Sequence, residues 1–408
     1  MKRLILLMLV IQAPMLQAQR IDKALVRKHI TYLASDKLEG RSPGEKGGNL
    51  AAKYIANYFK RLKLKPAGSN GYFQPFTFGE SLNPHDTSQS NKIQRTGKNV
   101  LAFLDNGAKN TIVIGAHYDH LGWGNHGNSL DANPNAKIHN GADDNASGVA
   151  GVLELAHHLS SNSKVEHYNY LFICFSAEES GLLGSKYFTN NPTLQLNDLN
   201  FMLNMDMIGR LNDSTKSLLV YGTGTAPELQ TLVFAMNKEF RIKTDSSGIG
   251  PSDHTSFYLK NVPVLHFFTG QHSDYHKPTD DVEKINFEGE QKVLEYIFTL
   301  IDTIDNLPRL QFRTTRNAEQ AKSSFKVTLG IMPDYAFEGK GLRVDGVTEG
   351  KPASKAGLMQ GDIIIQLGEY KVQEIQEYMK ALNHFSKGET STVSILRGQE
   401  TLTFPVTF

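Results

Sequence analysis

From Asn99 onward, short apolar runs alternate with segments in which apolar residues recur every three or four positions. The runs predict strands over Thr111–Ala116, Tyr168–Phe175, Phe201–Met207, Ser217–Tyr221 and Val262–Phe268. The periodic segments predict helices over Ala146–Leu159, Gly181–Phe188, Pro227–Phe240, Asp253–Lys260 and Asn286–Asn306. The last is the clearest, with Val293, Ile297, Leu300, Ile301 and Ile304 on one face. Two further helical patterns, Ile21–Ala34 and Asn49–Leu64, open the chain around the glycine-rich stretch Leu38–Gly44. Alternating strands and helices predict an α/β fold: a mixed, largely parallel central sheet flanked by helices.

The pattern changes after Asn306. Residues 307–322 are polar and aperiodic and read as a linker. Residues 323–408 are strand-rich, with one helix at about Val372–Leu382, and form a small second domain. At the other end, Lys2 and Arg3 precede the apolar stretch Leu4–Leu16, and Ala18 offers a small residue for cleavage. Residues 1–18 therefore read as a signal peptide, with the mature chain starting at Gln19. The apolar stretch falls short of the ~20 residues that span a bilayer. No cysteine follows it to carry a lipid, so the expected location is periplasmic or extracellular, without a membrane anchor.

Charge narrows the function. In 408 residues, 43 Lys+Arg against 42 Asp+Glu leave a formal charge of +1, no electrostatic footprint for nucleic acid. The single cysteine, Cys174, lies in the apolar run Leu171–Phe175 and reads as a buried hydrophobe. With no disulfide, stability must come from core burial or bound metal.

Acidic and imidazole residues cluster at the ends of predicted strands: His117-Tyr-Asp119, Asp143-Asp144, Glu178-Glu179, Asp206 and Tyr275-His276. In an open α/β sheet the carboxyl ends of parallel strands share one edge, so these segments converge. His117 and Asp119, two apart, point the same way in extended chain, which lets Asp119 orient the imidazole. Four carboxylates in one cleft repel one another, and no Lys or Arg lies within these motifs; Arg210 is the nearest. Two divalent cations resolve this, and the mixed imidazole and carboxylate donors suit zinc best. Of the neighbours Glu178 and Glu179, one can ligate while the other faces a bound water as general base.

This set resembles the co-catalytic zinc aminopeptidases, exopeptidases related to glutamate carboxypeptidases and glutaminyl cyclases. The resemblance runs over about Ile21–Asn306 and includes Leu33–Arg41, Lys65–Gly68 and Gly71–Phe76. It implies that His117 and Asp206 hold one zinc, Glu179 and His276 the other, and that Asp144 bridges them. It also implies Glu178 as the base, Asp119 as the residue orienting His117, and Tyr275 as a donor to the oxyanion. Phe76 to Asn99 is too short for the lid-like insertion of many exported relatives. Asp206 and His276 lie 70 positions apart, a gap that two predicted strands and two predicted helices already fill, which disfavours the dimerisation domain of a second carboxypeptidase family. Glutaminyl cyclases bind a single zinc, whereas all five ligands are present here.

Other residues are weighed against this set. Ser252 reads as a helix cap, since Ser252-Asp253-His254 cannot form a triad from adjacent residues. His120, His126 and His139, in or beside the Gly/Asn-rich stretch Leu121–Asn140, and Trp123 are candidates for substrate contact from a loop over the cleft. Arg210 keeps a carboxypeptidase or dipeptidase reading open as a holder of a substrate carboxylate. The small domain resembles a PDZ domain through Leu329-Gly330-Ile331, Pro352–Leu358 and Gly361–Ile365. That implies capture of a peptide or a partner C-terminus as an added strand. The expectation is an exported dinuclear zinc aminopeptidase acting on peptides, with a PDZ domain that tethers them.

Overall fold

The computed structural model describes residues 21–81, 92–315 and 327–408, apart from 126–128, 132, 134–135, 163, 334–336, 338, 348–349 and 374. The leader at 1–18, His126 and residues 316–322 of the expected linker lie outside the described residues.

The first body opens with α1 (Lys23–Leu33) and α2 (Lys46–Arg61). Asp22 caps α1, its Oδ1 accepting from the amides of Ala24 and Leu25. Next come β1 (Lys65–Pro66), β2 (Phe73–Ser81), β3 (Lys92–Leu104) and β4 (Thr111–His117). After them run α3 (Gly148–Ser161), β5 (Asn169–Phe175), α4 (Leu183–Asn190), β6 (Leu199–Met205) and β7 (Ser217–Tyr221). The body closes with α5 (Leu229–Ala235), β8 (Arg241–Asp245), α6 (His254–Tyr258), β9 (Val264–Phe268) and α7 (Phe287–Asp305).

These strands form one sheet in the order β1-β3-β5-β4-β6-β9-β7-β8, with β2 pairing β3. Its centre, β5-β4-β6-β9, is parallel, while β3 and β7 join antiparallel on either side. β4, β5 and β6 are buried at every position because helices cover both faces. Ile112 and Ile114 of β4 face a layer that includes Ile30 of α1, Phe59 of α2, Leu153 of α3 and Leu300 of α7. Val113, between them in sequence, faces Phe188 of α4 and Phe257 of α6. Cys174 is buried, as its apolar run predicts.

The structure differs from the sequence reading in places. The edge strand β8, β2 and residues 92–99 of β3 carry too many polar residues to read as apolar runs, whereas the apolar end of β3, residues 100–104, is a strand the sequence reading left out. α5 stops at Ala235, short of the expected Phe240, because the Asn237 carboxamide accepts the amides of Glu239 and Phe240 and turns the chain. Residues 307–315, expected as the start of a linker, dock onto the first body. Leu310 joins its core and its amide donates to Asn200, while Arg313 donates its amide to the Thr225 carbonyl.

The second body comprises β10 (Ile331–Pro333), β11 (Leu342–Val347), α8 (Pro352–Ala356), β12 (Ile363–Leu367) and β13 (Tyr370–Lys371), then α9 (Ile375–Leu382), β14 (Thr390–Arg397) and β15 (Glu400–Thr407). Its antiparallel sheet has the order β10-β11-β12-β14-β15, with β13 on β12, around its own core of Leu329, Val344, Ile364, Val393 and Ile395. One helix was expected there and two are present among the described residues. The extra α8 is a single short turn begun by Pro352 and ended by Gly357 at φ 85°, the usual start and stop signals. Among the described residues, no helix is long and apolar enough to cross a membrane.

Candidate metal centre

Four parallel strands deliver the site. His117 ends β4, Glu178 and Glu179 follow β5, Asp206 follows β6, and His276 lies on the loop after β9. Asp144 enters from the turn before α3. The edge shared by these strand ends is therefore where the sequence placed the chemistry.

The cluster divides into two halves about Asp144. His117 Nε2 lies 3.3 Å from Asp144 Oδ1 and 3.3 Å from Asp206 Oδ1. His276 Nε2 lies 3.3 Å from Asp144 Oδ2 and 3.0 Å from Glu179 Oε2. Each oxygen of Asp144 thus serves a different imidazole–carboxylate pair. Glu178 stands outside both halves, its Oε2 3.9 Å from His117 Nε2. Asp143 turns away, accepting the Gly209 amide at 2.7 Å and facing His272 Nε2 at 3.2 Å. Tyr275 lays its ring on that of His276, 3.9 Å between centroids.

Asp119 differs in detail from its expected role. The ring nitrogen Nδ1 of His117 meets the Asp119 backbone carbonyl at 3.1 Å, and the carboxylate is 3.8 Å away. The carboxylate instead accepts the amides of Glu178 at 3.1 Å and Glu179 at 3.4 Å. One residue therefore fixes the imidazole with its carbonyl and the two glutamates with its side chain. Ser252 also departs from expectation. Its hydroxyl donates to Asp206 Oδ2 at 2.7 Å and accepts from the Asn204 amide group at 2.8 Å, not from the amides of a helix terminus.

Electrostatics show what the cluster lacks. Burial alone would lower the pKa of His117 and His276, yet the surrounding carboxylates hold both well above the usual value. Burial pushes Glu178 well above the ordinary carboxylate range and Asp119 up to about 6. Burial also pushes Glu179 up, but His276 and His120 outweigh it and bring the carboxyl to about 2. A pocket that turns its own imidazoles into cations is one that calls for positive charge. Neutral imidazoles and carboxylates in this spacing fit divalent metal, which takes the place of those protons.

Three contributors were missed. Arg41 is fully buried beneath the cluster and donates to the carbonyls of Tyr118 and Leu33 at 2.7 Å, Asn140 at 2.5 Å and Gly141 at 2.8 Å. His120, expected as a candidate for substrate contact from a loop, is instead buried with Nδ1 2.8 Å from Glu179 Oε1. Its place three residues after His117, in a run of titratable side chains, was the available signal. Asp280 supports the site from below, accepting the amides of Asp143 and Asp144 at 3.0 Å. His139 is buried against Ser129, whereas Trp123 remains part-exposed at 37%. Arg210 pairs through Nη2 with Asp274 at 3.3 Å, while its buried Nη1 has no hydrogen-bond partner among the described residues.

Residues 99–301 match the sequence model of Peptidase family M28, and residues 310–408 match that of the PDZ domain. Leupeptin-inactivating enzyme 1 of Streptomyces exfoliatus is 28% identical over 269 residues, which cover 65% of this chain and 52% of that protein. Leucine aminopeptidase 2 of Trichophyton rubrum is 32% identical over 188 residues, 43% of this chain and 34% of that protein. The chain thus spans about half or less of these two relatives. Solved aminopeptidases and glutaminyl cyclases share the fold. The aminopeptidase from Aneurinibacillus sp. strain AM-1 does so with a TM-score of 0.55 and 17% identity, over 73% of this chain and 96% of that one. Residues 99–301 thus belong to peptidase family M28, and a PDZ domain, matched over 310–408, follows them.

Proposed function

We propose that the chain is an exported dinuclear zinc aminopeptidase that removes N-terminal residues from peptides. One observation carries the reading: the two oxygens of Asp144 face separate imidazole–carboxylate pairs while Glu178 stands outside both. Family M28 and the aminopeptidase names among its relatives support it. The leader-like pattern at 1–18 supports export.

His117, Asp144 and Asp206 would hold one ion, and Asp144, Glu179 and His276 the other. Two zinc ions, when bound, supply Lewis-acid polarisation of the scissile carbonyl and of the attacking water. Glu178 takes the proton from that water and passes it to the leaving amine. Asp119 holds the amides of both glutamates, so base and ligand keep their separation. Ser252 fixes the second oxygen of Asp206, leaving Oδ1 turned to His117. Tyr275 is the candidate donor to the oxyanion, and donation of this type is worth a few kcal/mol, roughly 10²–10³ in kcat.

The PDZ domain is a peptide-binding module, and its role here is to tether peptides by their C-termini. Gly330, at φ 72° just before β10, lets the expected carboxylate loop pack closely against Lys351; a Cβ there would lie 2.2 Å from the Lys351 Cβ. One peptide panel tests both parts. Free-amine peptides should be cleaved and their N-acetylated counterparts should not; equal cleavage would make the carboxypeptidase or dipeptidase reading the better one. Long peptides with a free C-terminus should show a KM about tenfold below that of the same peptides amidated. Identical KM values would remove the tether and leave the rest intact.

A further inference from the structure

His120 is not among the five expected ligands, yet it is held as firmly as any of them. Its ring is buried, and the Gly141 backbone packs against it so closely that a Cβ on Gly141 would lie 2.5 Å from Cδ2. Nδ1 meets Glu179 Oε1 at 2.8 Å, and because an ionised carboxylate only accepts, the proton of this bond sits on Nδ1. Nε2 is buried with no hydrogen-bond partner among the described residues. Glu179 is therefore gripped between two imidazoles, Oε1 by His120 and Oε2 by His276. Its backbone is fixed separately, through the amide on Asp119. With Oε2 at His276, the contact of His120 on Oε1 opposes rotation of the carboxylate about its own axis.

We propose that His120 is the positioning residue of Glu179, holding Oε2 toward His276 and Asp144 Oδ2 and so setting the affinity of the second metal position. This rests on the two-ion reading given above. Direct ligation by His120 is the competing geometry, since its Nδ1 lies 3.8 Å from Asp144 Oδ2 and within reach of a shared ion. The two roles differ in what can replace the ring. An asparagine carries an N–H on the atom after Cγ, as His Nδ1 does, but is a poor zinc ligand.

The test titrates the metal-free full-length protein with Zn²⁺ against a chromophoric chelator, and with Co²⁺ followed by its visible absorption. His120→Ala should weaken the second ion by ~10–100-fold and leave the first unchanged, which also reports that the variant is folded. His120→Asn should restore the second ion to within a few-fold of wild type. A second ion of unchanged affinity in His120→Ala would overturn the proposal. So would an asparagine variant as weak as alanine, with a Co²⁺ spectrum showing one nitrogen fewer. A wild-type protein that takes up a single ion would instead sink the two-ion reading itself.

Discussion

Glu178→Gln is expected to keep both metal positions filled and to lower kcat by ~10²–10⁴. The carboxylate lies 3.9 Å from the nearest imidazole of the cluster, His117, whereas Glu179 lies 3.0 Å from His276. Removing the charge of Glu178 therefore removes no ligand. Burial holds Glu178 well above the ordinary carboxylate range in the metal-free protein. Glutamine fills the same space and cannot take the proton. KM should change little, since the lost interaction belongs to the transition state. Metal analysis alongside kinetics checks the assignment. Loss of metal from Glu178→Gln, with Glu179→Gln keeping both ions, would show the two roles reversed.

Arg41→Leu is expected to destabilise the metal-free protein by at least ~3 kcal/mol, the scale for removing one member of a buried charged network. The guanidinium spends its donors on four carbonyls from three separate stretches of chain, at Leu33, Tyr118 and Asn140–Gly141. Leucine would leave those carbonyls buried without partners. It would also remove a positive charge that lies under Asp144, Asp280, Asp119 and Glu179. Burial lowers the Arg41 pKa to about 10 while those carboxylates oppose the shift, so the group stays charged at neutral pH. Arg41→Lys should recover less than half of the loss, because three donors on one nitrogen cannot copy the planar fork. Urea unfolding in the presence of chelator measures this without a contribution from metal affinity. A leucine variant within ~1 kcal/mol of wild type would contradict the account.

What was legible in the sequence follows from where each residue finds its partners. β4, β5 and β6 read clearly because strands covered on both faces must be apolar at nearly every position. His117, Glu178, Glu179 and Asp206 stood out because they end or follow such strands, and parallel order alone brings strand ends together; Asp144 and His276 reach the same edge from loops. β8, with Ile242 its only apolar residue, and the polar part of the ribbon, β2 with residues 92–99 of β3, gave no comparable signal; the apolar residues 100–104 of β3 did carry one. Arg41 was invisible for a different reason. Its partners are backbone carbonyls up to 100 residues away, and no side-chain pattern encodes them. The same holds for Asp119, whose carboxylate serves the amides of the glutamates while its own carbonyl orients His117. Ser252 was read from its neighbours in sequence as a helix cap, and its hydroxyl went to Asp206, 46 residues earlier.

The central claim is that Asp144 joins two metal positions and that both are needed. Elemental analysis of the purified protein, supplied with zinc and then dialysed against metal-free buffer, tests it most directly. Two zinc ions per chain in the wild type, both lost or severely weakened in Asp144→Asn, is the result this account predicts. One ion or none in the wild type, or an Asp144→Asn variant that keeps two, would contradict it.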